Sequence, residues 1–316
     1  MAPPSIRSAP QVTIAIPSRN RAQLLGLTLQ SILAQSVPLE VLVVRTAGDR
    51  VVPTVPEVND PRVTVLACPE SSRGAAGYNV ALEHVRTPWL VFWDDDDLMF
   101  PESLRSLLQI AENTDFKSIA GARIKVKADA IYEDLKAPVD ARGISIRRVA
   151  FRDALVPFPV FPNHAHSIYR TECLSGIRWR PELGVVPLDA YFGLEALSAC
   201  QPVGLTSIPF RAYRQHHGQV SRMFAPETDL QMFHDLVEWS LRTFPEVNDR
   251  SLQHALKARE HYLQASVSFA STRPLPMLKH VLTGATLYPK SLAKAEWWKM
   301  IAAACALAFH FRTESR

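Results

Sequence analysis

Four consecutive carboxylates, Asp94-Asp95-Asp96-Asp97, follow directly on the apolar run Val91-Phe92-Trp93. Adjacent ionised carboxylates repel one another, and holding them at the end of a buried strand costs stability unless a cation or hydrogen-bond donors compensate. A divalent ion is the simplest compensator. Oxygen ligands suit Mg²⁺ or Mn²⁺, which are usually held by one or two protein carboxylates while substrate phosphates complete the shell, so the implied ligand is a nucleotide diphosphate. The same four residues also read as a solvated acidic turn at a helix start, where carboxylates complement the helix dipole. Further along, Tyr213-Arg-Gln-His216-His217-Gly-Gln-Val-Ser221-Arg222 sets two histidines beside two arginines, the composition of an anion-facing loop. His164 and His166 stand among prolines, at an acceptor pocket or simply on a surface loop.

The elements that must position these groups alternate. Val12 to Ile16 is a β-rich run closed by Pro17, and Arg21 to Gln35 carries leucines and Ile32 at helical spacing. Glu40 to Val44, Arg62 to Leu66 and Trp89 to Trp93 read as further strands, with a helix over Ala75 to Val85. Short apolar strands separated by helices imply a parallel sheet covered on both faces, with functional groups beyond the carboxyl ends of the strands. The polar clusters fall there: Ser18 to Arg21, Arg45 to Arg50 and Asp94 to Asp97. Pro101 to Asn113 reads as a helix, Ile119 to Val126 as a strand and Lys127 to Arg152 as a polar loop near the acceptor side. Asp189 to Cys200 is helical, and helices dominate from Thr228 onward, over Asp229 to Thr243 and Ser251 to Ser271.

Several segments in this order resemble family 2 of the GT-A glycosyltransferases: Val12-Thr-Ile-Ala-Ile-Pro-Ser-Arg-Asn20-Arg21, Leu33-Ala-Gln-Ser36, Glu40-Val-Leu-Val-Val44, Arg73-Gly74 with Asn79, and Asp94-x-Asp96-Asp97 followed by Pro101. The resemblance implies an α/β fold with a Rossmann-like, mostly parallel central sheet flanked by helices. It implies a transferase domain over 11–222, with a nucleotide-binding half (11–100) and an acceptor half (101–222); the remainder, 223–316, reads from its helical pattern as an extension. It places Pro17, Ser18 and Asn20 near the nucleotide base, with Arg21 on phosphate or at the helix start, where Asn20 can equally be the cap. Gly74 and Asn79 match the loop and helix beneath the nucleotide, with Arg73 beside them. Asp94 falls at ribose or base, Asp95 in the same donor site, Asp96 on the metal and Asp97 in support. His216 completes the metal or diphosphate site, and Arg214 or Arg222 neutralises the leaving group.

Where the family commonly carries an acidic pair after the second strand, this chain has Arg45-Thr46. Thr46 still donates and accepts, Arg45 exchanges an acceptor for a five-donor cation, and Asp49 is a substitute acceptor. A uridine or thymidine diphosphate sugar is the expected donor, with guanosine diphosphate as the other choice. Asp189 falls where the family places the base that deprotonates the acceptor hydroxyl; a helix cap is its structural alternative, and Glu182 and Glu195 are reserve bases. The reaction so implied is a single displacement with inversion, with Mn²⁺ or Mg²⁺ as cofactor. The competing readings are a catalytically degenerate nucleotide-sugar-binding protein and a nucleotidyltransferase; against the latter, no Gly-rich, Lys-containing loop follows the first strand.

Composition narrows the remainder. The chain has 316 residues, 47% hydrophobic, 21% charged and only 12 glycines, which excludes a disordered or collagen-like protein. Four cysteines, Cys68, Cys173, Cys200 and Cys305, form no C-x-x-C pair, and the first ten residues have no apolar signal core, so a cytoplasmic protein is expected. The formal charge of +4 comes wholly from Arg273 to Arg316, where seven Lys/Arg face two Glu. There Trp297, Trp298 and Lys299 precede an apolar run, Met300 to Phe309, too short for the roughly 20 residues of a membrane span. It reads either as a helix lying on an anionic membrane face, next to a lipid-linked glycan acceptor, or as one docked on the protein's own core. No feature points to nucleic acid.

Overall fold

The computed structural model describes residues 9–49, 52–69, 75–136, 145–150, 166–181, 188–216, 226–244, 249–293 and 297–303. They form two compact units, Met1–Ala150 with Pro162–His217, and Phe151–Phe161 with Gly218–Arg316.

The first unit contains β1 (Val12–Ser18), α1 (Ala22–Leu33), β2 (Leu39–Arg45), β3 (Val63–Ala67), α2 (Ala75–His84), β4 (Trp89–Phe92), β5 (Leu98–Met99), α3 (Ser103–Glu112), β6 (Ser118–Lys127), β7 (Ile146–Val149), β8 (Ser167–Arg170), α4 (Leu188–Ala199) and β9 (Val203–Gln215). One sheet orders them β3-β2-β1-β4-β8-β6-β9-β5, with β7 also pairing β9. The strands β3, β2, β1 and β4 are mutually parallel, β6 runs parallel to β9, and β8, β5 and β7 join antiparallel. This is the α/β architecture, with a parallel first half, that the sequence pattern implies.

The period of two distributes each strand between two cores. Ile14, Ile16, Val41, Val43, Val91 and Trp93 face Leu25, Leu29 and Ile32 of α1 and Leu104, Leu107 and Leu108 of α3. Ala15, Leu42, Val44, Leu90 and Phe92 face Ala76, Tyr78 and Ala81 of α2 and Phe192 and Ala196 of α4. With both faces covered, polar groups can gather only at the strand ends. Ser18 is opposite Arg45, and Ala15 is opposite Phe92, so the loops after β1, β2 and β4 open on one edge.

The expected loop over Lys127 to Arg152 is not wholly a loop, because Ile146–Val149 forms β7 against β9. Its charged, exposed residues conceal an edge strand: Arg148 pairs with Asp115 at 2.9 Å and lies over the Phe116 ring. The expected acceptor-side prolines and His164 lie outside the described residues.

In the second unit α5 (Pro226–Thr243), α6 (Arg250–Ala270) and α7 (Pro274–Leu287) are followed by helical residues 297–303. Asp249 caps α6 by accepting the Leu252 N–H at 2.8 Å. Trp297 is fully buried with Ala258, Ala265, Met277 and Val281, and Gly284 leaves room for its ring. Of the two tryptophans, Trp297 belongs to this core, as the docked alternative expects, and Trp298 is exposed. No helix among the described residues is long and apolar enough to cross a membrane.

Gly121 sits where the β6–β9 register shifts, and a Cβ there would collide with Phe210 and come within 3.0 Å of Ile208 O. We expect Gly121→Val to destabilise the first unit by about 1–3 kcal/mol, read by urea unfolding, whereas Ser207→Val, at an exposed site on β9, leaves it within about 0.5 kcal/mol.

Candidate active site

The acidic quartet begins two residues after Phe92 closes β4, and each carboxylate meets a different set of donors. Arg211 of β9, itself buried, donates through Nη2 to Asp94 Oδ2 and through Nε to Asp97 Oδ2. Asp97 is fully buried, and its other oxygen accepts the Arg214 N–H at 2.9 Å. The Arg214 side chain spends Nε on Asp96 O (2.6 Å) and Nη2 on Leu24 O (3.2 Å). The Thr28 hydroxyl of α1 lies 2.8 Å from Asp97 O and 3.1 Å from Asp95 O. Main-chain carbonyls of the quartet are thus tied to α1 and β9, which fixes the turn.

Asp95 and Asp96 face the end of β1. Ser18 Oγ donates to Asp95 Oδ2 at 2.7 Å. Arg21 Nη1 bridges Asp95 Oδ1 (3.0 Å) and Asp96 Oδ2 (2.9 Å). His216 Nε2 lies 3.0 Å from the same Asp96 oxygen. Asn20 has a left-handed backbone, φ 56°, and Arg21 occupies the N-cap position of α1, so the expected Asn20 cap is displaced by one residue. The Asn20 N–H instead donates to Asp49 Oδ1 at 2.7 Å, and Asp49 Oδ2 accepts the Val52 N–H at 3.0 Å. Asp49 is therefore a buried loop brace rather than a substitute acceptor for a base.

Burial governs the electrostatics. It pushes Asp95 up to about 6, with the Asp96 charge adding to the rise and Arg21 and Ser18 opposing it. Burial also raises Asp97 against the pull of Arg211. At Arg211 burial opposes the charge, but Asp94 and Asp97 outweigh it and hold the guanidinium above its ordinary value. The sequence pattern allows two compensators, a cation or hydrogen-bond donors, and the chain's own donors, Arg21, Arg211, Arg214 and Ser18, therefore supply much of the compensation. The residues still fit a divalent cation: Asp94, Asp96 and Asp97 each bring a carboxylate oxygen to within 4.8 Å of one another. Asp97 is fully buried with both oxygens taken, which leaves Asp94, the most exposed of the four, and Asp96, whose Oδ1 carries no hydrogen bond from a described residue. Such an oxygen set suits Mg²⁺ or Mn²⁺.

The other expected residues divide. Pro17 pairs with Val44 and packs under α2, where a Cβ on Gly77 would lie 2.9 Å from it. Thr46 N–H donates to Ser18 O at 3.2 Å, and its buried hydroxyl has no partner among the described residues. Arg45 closes β2 opposite Ser18 without an ion pair among the described residues. Asn79 uses both ends of its amide on the Trp179 main chain, each at 2.8 Å, which makes it a brace between α2 and the segment before α4. Arg73, Gly74, Glu182, His217 and Arg222 lie outside the described residues.

Asp189 is half-buried in the first turn of α4. Three residues on, Phe192 meets Phe92 at 4.9 Å and stacks on Trp179 at 4.4 Å, and Trp179 stacks on Tyr78. The Tyr78 hydroxyl donates to Trp93 O at 3.0 Å and lies 3.3 Å from Asp94 Oδ1. One aromatic cluster thus anchors the helix of Asp189 and the strand of the quartet. Glu195, a reserve base, is engaged by Arg180 at 2.5 Å. Sequence reasoning missed Arg211, Thr28 and Tyr78; only a polar residue inside an otherwise apolar period marks them.

Removing the Asp95 charge should change the pH dependence of stability. Its ionisation sits near 3.9 unfolded and about 6 folded, so the folded chain holds the proton longer and loses stability as pH rises through that window. We expect Asp95→Asn to gain on the wild type by about 3 kcal/mol at most between pH 4 and 7 in urea unfolding. A difference that stays flat or falls contradicts it. Arg211→Met, which strands two carboxylates, should cost about 3–5 kcal/mol in the same assay.

Comparison with known proteins follows the same lines. Residues 13–164 match the Glycosyl transferase family 2 model. The succinoglycan biosynthesis protein ExoO of Rhizobium meliloti is 33% identical over 129 residues, 40% of this chain and 35% of that protein. The chain thus spans about a third of that curated relative. Among solved structures, S. aureus TarS 1-349 superposes with a TM-score of 0.61 at 16% identity, covering 96% of this chain and 92% of that one. Its complex with UDP-GlcNAc gives 0.58 at 17% identity, covering 88% and 89%. The mannosyltransferase PcManGT from Pyrobaculum calidifontis, in complex with GDP-Man and Mn²⁺, gives 0.54 at 18% identity, covering 96% and 87%. At these identities the structures establish a shared GT-A fold. Residues 13–164, just under half of the chain and including the acidic quartet at the sheet's carboxyl edge, thus carry the likeness to glycosyl transferase family 2.

Proposed function

We propose that the protein transfers a sugar from a nucleotide diphosphate sugar, with a uridine or thymidine base, to an acceptor hydroxyl with inversion. The observation that carries this is the convergence of Ser18, Arg21, Asp94, Asp95, Asp96 and His216 at the carboxyl edge of a parallel sheet, where such folds bind nucleotides. Asp96, with Asp94 and His216, would hold Mn²⁺ or Mg²⁺, which when bound neutralises charge on the departing diphosphate. The PcManGT complex with GDP-Man and Mn²⁺ supports that assignment, and TarS with UDP-GlcNAc supports a sugar nucleotide as donor.

In this reading Ser18 and Arg21 set the carboxylates before the donor arrives, so little reorganisation accompanies charge transfer to the leaving group. Asp189 accepts the acceptor's proton as its oxygen attacks the anomeric carbon from the face opposite the diphosphate. A single displacement needs no covalent sugar on the enzyme. The transferase domain is taken as 11–222 and the helical extension as 223–316. The ExoO resemblance supports a role in polysaccharide assembly; a lipid-linked acceptor, a cytoplasmic location and peripheral membrane contact through the extension are read from its basic charge and the exposed Trp298.

Purified protein incubated with Mn²⁺ and a panel of sugar nucleotides should release nucleotide diphosphate. Asp189→Asn should lower kcat about 10²–10⁴-fold with the donor KM nearly unchanged, and Asp96→Ala should abolish both turnover and metal-dependent donor binding. Metal-dependent binding without release from any donor would instead support the degenerate binding protein.

A further inference from the structure

Among the described residues, a row of exposed cations on β6 lies beside the strand that supplies Arg211. Arg123, Lys125 and Lys127 alternate along the strand and are all exposed, while Ile124 and Val126 turn to the opposite face, where Val126 packs on Leu98, Phe100 and Ala212. Among the described residues no carboxylate pairs with any of the three cations. Their partners in register on β9 are Arg211, Tyr213 and Gln215. That is the segment supplying Arg211 to Asp94 and Asp97, Arg214 to Asp97 and His216 to Asp96. The row is also joined to the site by stacking: the Arg123 guanidinium lies 5.0 Å from the centre of the Tyr213 ring, and Arg211 lies 5.2 Å from the same ring. Arg123 is thereby held in place rather than left to swing in solvent.

Resting on the transferase reading, we infer that Arg123, Lys125 and Lys127 form the docking row for an anionic group, a phosphoryl or carboxylate, carried by the acceptor. The charges follow one face at the strand period of about 6.7 Å between alternate residues, a spacing that suits a group with several anionic oxygens or a repeating anionic chain. The row belongs to β6 and not to the loops after β1, β2 and β4, so it can be filled while the donor is bound. A second explanation is protective: β8 covers β6 only at Ser118–Ala120, and charges on an open edge discourage strand pairing between molecules.

The test uses the full chain saturated with uridine diphosphate and Mn²⁺, so that the donor's diphosphate position is occupied. Octyl phosphate, glycerol phosphate and octanol are titrated by calorimetry at low salt. We expect both phosphates to bind if the anionic group alone is recognised, or octyl phosphate alone if the group is lipid-linked; octanol should not bind. Lys125→Glu with Lys127→Glu should weaken phosphate binding at least ten-fold, with uridine diphosphate affinity changed less than two-fold, and Lys125→Arg with Lys127→Arg should restore it. Equal binding of octanol and octyl phosphate, phosphate binding undiminished in the Glu pair, or self-association of that pair as its only defect would overturn the inference. Phosphate binding that survives while no donor releases its nucleotide would keep the row and remove the transferase reading.

Discussion

A buried arginine spanning two carboxylates, Arg211 on Asp94 and Asp97, is the interaction on which the rest of the site depends. An unpaired ion in that position would cost several kcal/mol, so without Arg211 a turn of four acids is held far less firmly against α1 and β9. With it, the innermost carboxylate is consumed in structure. The middle pair is held by Ser18 and Arg21, and Asp96 Oδ1 carries no hydrogen bond from a described residue. The quartet is therefore graded in exposure, from Asp97, with none, through Asp95 and Asp96 to Asp94, whose side chain is a third exposed, and every member is met by a cationic side chain.

This grading explains why β9 is long and composite. Its start pairs with β7 and the beginning of β6, its middle delivers Arg211, and its end delivers Arg214 and His216. The bulge at Gly121 lets β6 follow it past Pro209, a residue that cannot donate to the ladder. The aromatic cluster of Tyr78, Phe92, Trp179 and Phe192 does the equivalent work on the opposite face, setting the start of α4 against β4.

How much of this can be read without coordinates follows from where the information lies. The strands of the parallel half are continuous apolar runs, so β1, β2 and β4 and their loops are legible, and with them Ser18, Arg21 and the quartet. Arg211 is not, because its partners are 114 and 117 residues away and its strand mixes Thr206, Ser207 and Pro209 with the apolar positions. The two exposed arginines of Ile146–Val149 hide an edge strand for the same reason. Asn79 shows the converse limit: the position matches a nucleotide-site motif, but its amide is committed to the Trp179 main chain. Trp297 and Trp298 are adjacent in sequence, yet only the packing against Gly284 decides that one is core and the other surface.

The central claim is that Asp96, with Asp94, receives a cation bridged to the diphosphate of a sugar nucleotide. Anomalous diffraction from a crystal grown with Mn²⁺ and uridine diphosphate tests it most directly. The account predicts a manganese peak beside Asp96 with diphosphate oxygens in its shell. A bound nucleotide with no peak there, and Asp96 still closed on Arg21 and His216, would contradict it.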